Sequence, residues 1–285
     1  MSLRPLIFLA LLCGFQDPKP ERIEPDIKDE KYGPHERNVL DLWKATSDSP
    51  TPLVVFIHGG GFLVGYKEYV KAELIRRCRE NGISVAAINY RYSSQAPFPA
   101  PFHDAARAIQ YLRSKAREWN LDPGRFGATG GSAGGGMSLW LAFHDDLADP
   151  RSEDPVLRQS SRLQAVVAVA AQASYDPRWI REHIGGKAHK HDAIAKLYGL
   201  PPEESDSEKA HRLYEEAAAI RHLTRDDPPV YLTYEGADPG GIHSSKFGEI
   251  LKSEMDKLGI PCELKVGPDT IESTVSFFVR QLKKK

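Results

Sequence analysis

A serine enclosed by glycines, at the centre of residues 130–134 (GGSAG), is the residue best suited to act as a nucleophile. An apolar run precedes this segment, and a helix-like stretch over residues 137–143 follows it. A strand, a sharp turn and a helix form the context in which Gly-x-Ser-x-Gly raises a serine hydroxyl above a sheet. The alternative is an ordinary Gly/Ser-rich loop, which the pentapeptide alone would also fit. The flanking strand and helix favour a nucleophile at Ser132.

A second glycine-rich segment, HGGG at residues 58–61, follows an apolar run over residues 53–57. Glycines allow backbone N–H groups to point into a cavity, and an oxyanion formed by attack of Ser132 on a carbonyl group needs such donors. A phosphate-binding loop is the alternative, but it would carry Lys and Ser/Thr after its last glycine, where two apolar residues stand here. The predicted donors are the N–H groups of Gly60, Gly61 and Ala133.

The elements that must position these residues alternate between strand and helix patterns. The predicted strands cover residues 39–43, 53–57, 83–89, 165–171, 230–234 and 262–266, and the main predicted helices cover 101–119, 244–258 and 273–282. Such alternation predicts an α/β fold with a mostly parallel sheet that has helices on both faces. Between residues 175 and 227 the pattern changes to short helices without strands, which predicts an insertion covering the site as a cap.

Composition supports one large domain, predicted over residues 30–282. The chain has 285 residues, of which 41% are hydrophobic and 27% charged, enough for a well-filled core. The formal net charge of −1 gives no reason to expect a nucleic-acid partner. Nothing in the sequence signals an oligomeric state.

The N-terminal residues 1–16 carry one arginine and a short apolar run over residues 6–12. This run is too short for a stable membrane span, and it predicts an export signal and a periplasmic or extracellular protein. Cys13 hints at a lipoprotein signal, whereas a buried N-terminal helix is the alternative. Residues 17–29, rich in proline and charge, are predicted to be a linker.

Two cysteines lie beyond this signal, Cys78 and Cys262. They could form one disulfide, but their positions do not show that they do. Neither has another cysteine or a histidine at metal-ligand spacing, so no metal site is predicted.

Together these segments resemble the α/β-hydrolase fold, and within it the hormone-sensitive-lipase-like and BD-FAE-type bacterial esterases. The resemblance covers about residues 30–282 and rests on the HGGG and GGSAG segments, on NYRYS at residues 89–93 and on Asp122-Pro123 before a strand. It implies hydrolysis of small-molecule carboxylic esters without a cofactor. It also implies that Ser132 is the nucleophile and that Asp238, in the loop after a late strand, is the acid of the triad.

The sequence departs from the family pattern at the histidine that acts as the general base of the catalytic triad. The family places its histidine after the last strand, but residues 266–271 (VGPDTI) contain none, and no histidine follows His243. His243, five residues after Asp238, is the predicted substitute, although a polar loop or helix-capping role is its alternative. The histidines of the predicted cap are further candidates: His183, His189 and His191.

Two functions therefore remain open from the sequence. The first is an exported serine esterase in which His243 or a cap histidine acts as base and Asp238 orients it. The second is a catalytically degenerate hydrolase that keeps the pocket as a ligand-binding module, because the usual base position lacks histidine.

Overall fold

The structure is a computed structural model that describes residues 21–283. The predicted export signal over residues 1–16 lies outside this range, as do Cys13 and the first residues of the predicted linker. No helix within residues 21–283 has the length and apolar character needed to cross a bilayer.

The described residues form one eight-stranded sheet with the strand order β1-β2-β4-β3-β5-β6-β7-β8. The first two strands pair antiparallel, and the strands from β3 to β8 are parallel to one another. The strands are β1 (Ile27–Lys31), β2 (Val39–Trp43), β3 (Thr51–Ile57), β4 (Ser84–Ile88), β5 (Leu121–Gly131), β6 (Ala165–Val169), β7 (Val230–Tyr234) and β8 (Cys262–Val266). The predicted α/β architecture is therefore confirmed.

Helices cover both faces of the sheet, as its doubly buried strands require. The helices are α1 (Ala72–Glu80), α2 (Ala100–Ser114), α3 (Ala116–Trp119), α4 (Ala133–Phe143), α5 (Pro177–His183), α6 (Asp192–Leu197), α7 (Glu208–Glu216), α8 (Lys246–Leu258) and α9 (Ile271–Leu282). Adjacent residues of one strand point to opposite faces, so Val54 packs with α1 and α9 whereas Val55 packs in the larger core containing α2, α4 and α8.

The start of the sheet differs from the sequence-based boundary. Strand β1 begins at Ile27, inside the segment predicted as a linker over residues 17–29. It pairs with β2, with Ile27 opposite Leu42, and the backbone N–H of Asp29 donates to the Asp41 carboxylate over 2.8 Å. This charged edge strand is held in place by pairing with β2 and not by burial of its own side chains. It therefore lacks the alternating apolar pattern by which a strand is recognised in a sequence.

The segment between β6 and β7 contains α5, α6 and α7 together with short 3-10 turns. It lies against the HGGG loop and against the loop over residues 238–243. A Cβ atom at Gly61 would lie 2.8 Å from the Cβ of Ala193 in α6, and one at Gly186 would lie 2.5 Å from the carbonyl oxygen of Gly240. This cap segment therefore packs close to the loops that carry the predicted site.

Both cysteines of the described chain are buried and free. Cys78 lies in α1 and Cys262 begins β8, and burial raises the pKa of each thiol to about 12. They are therefore packing residues, and the disulfide left open by the sequence is not formed.

Candidate active site

Ser132 occupies the turn between β5 and α4 with a strained backbone, at φ 51° and ψ −121°. A positive φ is rare for a residue with a side chain and persists only where the surroundings impose it. Here the end of β3 imposes it, since a Cβ at Gly130 or Gly134 would lie 2.3 Å or 2.0 Å from the carbonyl oxygen of Ile57. Glycine at both positions lets the turn close tightly and leaves the serine half-buried at the carboxyl edge of the sheet.

The HGGG segment lies directly against this turn. A Cβ at Gly59 would lie 2.6 Å from the Gly131 carbonyl oxygen and 3.7 Å from the Cβ of Ser132. Among the described residues, no hydrogen bond uses the N–H groups of Gly60 or Gly61. The N–H of Ala133, the first residue of α4, has no acceptor within its helix. These three predicted donors therefore form no hydrogen bond with the described residues.

His58 contacts the backbone of the HGGG loop through its buried side chain. Its side chain is buried and its ring stacks on Tyr90 with centroids 4.2 Å apart. Nδ1 lies 2.8 Å from the Gly59 carbonyl oxygen, and Nε2 lies 3.3 Å from the Arg37 guanidinium. Burial, supported by the charge of Arg37, lowers the pKa of His58 to about 4. The ring is thus neutral, with Nδ1–H donating to Gly59 and Nε2 accepting from Arg37.

We expect this buried ring to make folding sensitive to acid. The unfolded chain protonates His58 near pH 6.5 and the folded chain only near pH 4, so the unfolded state binds more protons between these values. The free energy of unfolding should therefore fall by about 3 kcal/mol as the pH drops from 6.5 to 4 through this residue alone. Urea unfolding of the parent chain and of His58→Gln at both pH values measures the effect.

The loss on acidification should be smaller in His58→Gln by that amount, since every other titrating group is common to the two proteins. Ser114→Ala, which removes an exposed hydroxyl that does not titrate and that donates to the Tyr111 carbonyl over 2.7 Å, serves as the control and should keep the parent's pH dependence. Equal acid losses in the parent and His58→Gln would contradict a neutral buried imidazole.

His243 lies beside Ser132. Its Nε2 is 2.9 Å from the Oγ of Ser132, although 111 positions separate the two residues in the chain. The ring is exposed on the solvent side of the site. Proton transfer needs contact within hydrogen-bond reach, about 2.6–3.2 Å, and this pair meets that requirement. Of the histidines considered from sequence, His243 is the one that the structure brings to Ser132.

Asp238 supports His243 through the backbone. Its carboxylate Oδ2 accepts the backbone N–H of His243 over 3.2 Å, and its carbonyl accepts the N–H of Gly241 over 3.0 Å. The residue itself has a positive φ of 38°. Within residues 21–283 no carboxylate accepts a hydrogen bond from the His243 ring. In this geometry Asp238 fixes the turn that presents the imidazole, in place of the direct ring contact that the resemblance implies.

Replacing Asp238 with asparagine should therefore have a mild effect. The amide oxygen of the introduced asparagine can still accept the N–H of His243, and asparagine tolerates a left-handed backbone. We expect kcat for p-nitrophenyl acetate to fall less than about 10-fold, whereas loss of a ring-orienting triad carboxylate costs about 10⁴-fold. Asp238→Gly, which permits the same φ but removes the acceptor, is the matched comparison and should lose more. A 10⁴-fold loss in Asp238→Asn would restore the ring-orienting role.

Gln172 is a positioning residue that the sequence interpretation missed. It is buried, and its amide nitrogen donates to the carbonyl of Ile242 over 2.7 Å, next to His243. Its amide oxygen accepts the hydroxyl of Tyr175 over 3.2 Å. The sequence feature that could have identified Gln172 is its position just after strand β6. Ligands of parallel sheets bind beyond the carboxyl ends of the strands, so polar residues there are candidates for the site.

The other candidate base positions lie in different surroundings, and His189 has a buried Nδ1 without a hydrogen-bond partner among the described residues. The ring of His183 packs on Trp179 with centroids 4.6 Å apart, and the side chain of His191 accepts the N–H of Ala193 at the start of α6. After β8, where the resemblance expects histidine, Asp269 pairs with Lys265 over 3.0 Å and Thr270 caps α9. No hydrogen bond among the described residues joins these side chains to Ser132.

An eight-stranded, mostly parallel sheet with a strained serine between β5 and α4 defines an α/β-hydrolase. The model of the BD-FAE family matches residues 40–244, and the chain belongs to that family. The match includes Ser132 and His243 and ends before β8.

Curated relatives include the probable carboxylic ester hydrolase LipM of Mycobacterium tuberculosis, 28% identical over 210 residues, or 72% of this chain and 46% of LipM. The probable isoprenylcysteine alpha-carbonyl methylesterase ICMEL1 of Arabidopsis thaliana is 26% identical over 225 residues, or 78% of this chain and 46% of that protein. The chain thus spans about half the length of these relatives.

Solved structures show the same fold. A truncated carbohydrate esterase from gut microbiota superposes with a TM-score of 0.75 at 22% identity, covering 90% of this chain and 96% of that one. An esterase of the planctomycete Thermogutta terrifontis superposes with a TM-score of 0.69 at 19% identity, covering 90% and 95% of the two chains.

Proposed function

We propose that the protein hydrolyses carboxylic esters through an acyl-enzyme on Ser132, with His243 as the general base. The observation that carries the proposal is the 2.9 Å contact between His243 Nε2 and Ser132 Oγ, together with loop N–H groups that form no hydrogen bond within residues 21–283. Its relatives LipM and ICMEL1, named as an ester hydrolase and a methylesterase, support the same class of reaction. The class of substrate is a small-molecule ester.

In the first half-reaction, Ser132 Oγ attacks the ester carbonyl carbon while His243 Nε2 takes the hydroxyl proton. The carbonyl oxygen becomes an oxyanion, and the N–H groups of Gly60, Gly61 and Ala133 stabilise its charge. The bond to the alcohol oxygen then breaks, and the imidazolium returns its proton to the departing alcohol. Ser132 is left as the acyl ester.

In the second half-reaction, His243 removes a proton from water as the water attacks the acyl carbon. Collapse of the second oxyanion releases the carboxylic acid and returns the proton to Ser132. Since no carboxylate of the described chain accepts a hydrogen bond from the ring, the imidazolium is stabilised by solvent around the exposed side chain. The protein would then work as a serine–histidine dyad, with Asp238 and Gln172 holding the loop that carries the base.

A fluorophosphonate probe tests this function directly, because it reacts covalently with an activated serine. The phosphonyl adduct that it forms resembles the tetrahedral intermediate. The intact chain should gain one phosphonyl group, which peptide mass spectrometry should locate on Ser132. Labelling should be lost in Ser132→Ala and strongly slowed in His243→Ala. Unlabelled parent protein at probe concentrations that label a known serine esterase would overturn the proposal.

A ligand-binding module that has lost turnover is the second candidate. The observation that favours it is the absence, within residues 21–283, of a carboxylate on the imidazole ring. A module of this kind would bind a non-hydrolysable ester analogue equally well in the parent and in Ser132→Ala, and the parent would show no turnover above that variant.

We also propose export, on the basis of the short apolar run in residues 1–16. Expression of the full chain in a bacterial host, followed by mass spectrometry of its N-terminus, tests this. A processed chain outside the cytoplasm supports export, and a chain that keeps Met1 inside the cell overturns it.

A further inference from the structure

A cluster of three potential metal ligands lies at the C-terminal end of α4, the helix that follows Ser132. His144 follows the last residue of α4, Glu216 ends α7, and His222 follows the 3-10 turn over Ala219–Arg221. One ligand atom from each side chain lies within 4.8 Å of the other two. Among the described residues this is the one such group of three or more histidine, cysteine or carboxylate ligands.

Each of the two histidines contacts a backbone carbonyl through one ring nitrogen, which leaves its second ring nitrogen available to a cation. Nδ1 of His144 lies 2.9 Å from the Asp145 carbonyl oxygen, so a neutral ring donates there and keeps a lone pair on Nε2. Nε2 of His222 lies 2.8 Å from the Glu216 carbonyl oxygen, which leaves the lone pair on Nδ1. Histidines that bind metals typically donate their other N–H to a backbone carbonyl in this way.

The contact between His144 and Glu216 brings two of the three ligand atoms together. Nε2 of His144 lies 2.8 Å from Oε1 of Glu216, so one cation can contact both atoms. The ring of His222, whose centroid is 4.6 Å from that of His144, brings a third ligand to the same place.

We propose that His144, Glu216 and His222 bind one Zn²⁺, with water completing the coordination. Two imidazoles and one carboxylate are a ligand set that zinc accepts, at distances of about 2.0–2.2 Å. The Glu216 side chain is 45% exposed and His144 is 14% exposed, so the carboxylate can adjust while α4 holds the imidazole. The ion would join the end of the nucleophile helix to the end of the cap segment. This site is independent of the proposed ester hydrolysis.

The test uses the untagged full chain, stripped with a chelator and titrated calorimetrically with ZnCl₂. We expect one Zn²⁺ per chain and an increase in Tm. Replacing a residue that hydrogen-bonds to a metal ligand typically lowers metal affinity by about 10–100-fold. Removing a ligand itself, in His222→Ala, should therefore weaken Zn²⁺ binding by at least about 100-fold. His211→Ala is the matched control, because that histidine also pairs with a carboxylate, Asp206, but has no third ligand.

Two further measurements separate metal binding from misfolding. Glu216→Gln keeps the size of the side chain and should retain the circular dichroism spectrum while losing affinity. Co²⁺ added to the stripped parent should give visible absorption of a four-coordinate site, which His222→Ala should lack. Ser132→Ala should bind Zn²⁺ as the parent does. Binding that is absent from the parent, or unchanged in His222→Ala and Glu216→Gln, would overturn the proposal and leave only a His144–Glu216 hydrogen bond.

Discussion

Replacing Ser132 with alanine is expected to lower kcat for a short-chain ester by a factor on the order of 10⁴–10⁶. The alanine has no hydroxyl to form the acyl-enzyme, so only the backbone donors and binding remain to assist direct attack by water. Steady-state hydrolysis of p-nitrophenyl acetate, measured at enzyme concentrations high enough to detect the residual rate, gives this ratio.

The same variant separates the two candidate functions. A working esterase loses turnover in Ser132→Ala but retains binding of a substrate analogue, because Gly60, Gly61 and Ala133 are untouched. Ser138→Ala is the matched control. That serine lies further along α4, donates its hydroxyl to the Gly134 carbonyl over 2.8 Å and is buried away from solvent. Equal rates in the parent and Ser132→Ala, with analogue binding retained in both, would contradict the esterase and favour the ligand-binding module.

Replacing His243 with alanine is expected to cost about 10⁴-fold or more in kcat, with a much smaller change in KM. The hydroxyl of Ser132 would lose the acceptor 2.9 Å away that takes its proton. Because nucleophile and base act as one unit, the double variant Ser132→Ala/His243→Ala should be little worse than Ser132→Ala alone.

His183→Ala is the control for this prediction. It removes a histidine that the sequence offered as a base but that packs on Trp179 in the structure. Its kcat should stay near the parent value. Activity that survives in His243→Ala and falls in His183→Ala would move the base to the cap segment and require a rearrangement of the loop over residues 238–243.

The sequence by itself determined the framework of the site. Strands β7 and β8 occupy the predicted residues 230–234 and 262–266, and the serine turn follows its predicted strand. These features were readable because they are local. Apolar runs record burial of a strand on both faces, and glycines at fixed spacing record where another backbone approaches within van der Waals distance.

The identity of the residue that contacts Ser132 was decided only by the tertiary structure. Sequence narrowed the base to His243 or a cap histidine, but no local pattern could bring together side chains 111 positions apart. The position of His243 depends on the positive φ of Asp238 and on the hydrogen bond from Gln172 to Ile242.

The role of Asp238 and the proposed zinc ligands follow the same rule. The conformation of a short turn sets whether the Asp238 carboxylate faces an imidazole or a backbone N–H. The order of residues in this turn does not distinguish the two arrangements. His144, Glu216 and His222 come from three separate elements, so their spacing resembles no metal motif. Chain order records which residues a strand or helix contains, whereas the contacts between the ends of different elements exist only after the sheet, its helices and the cap segment have packed.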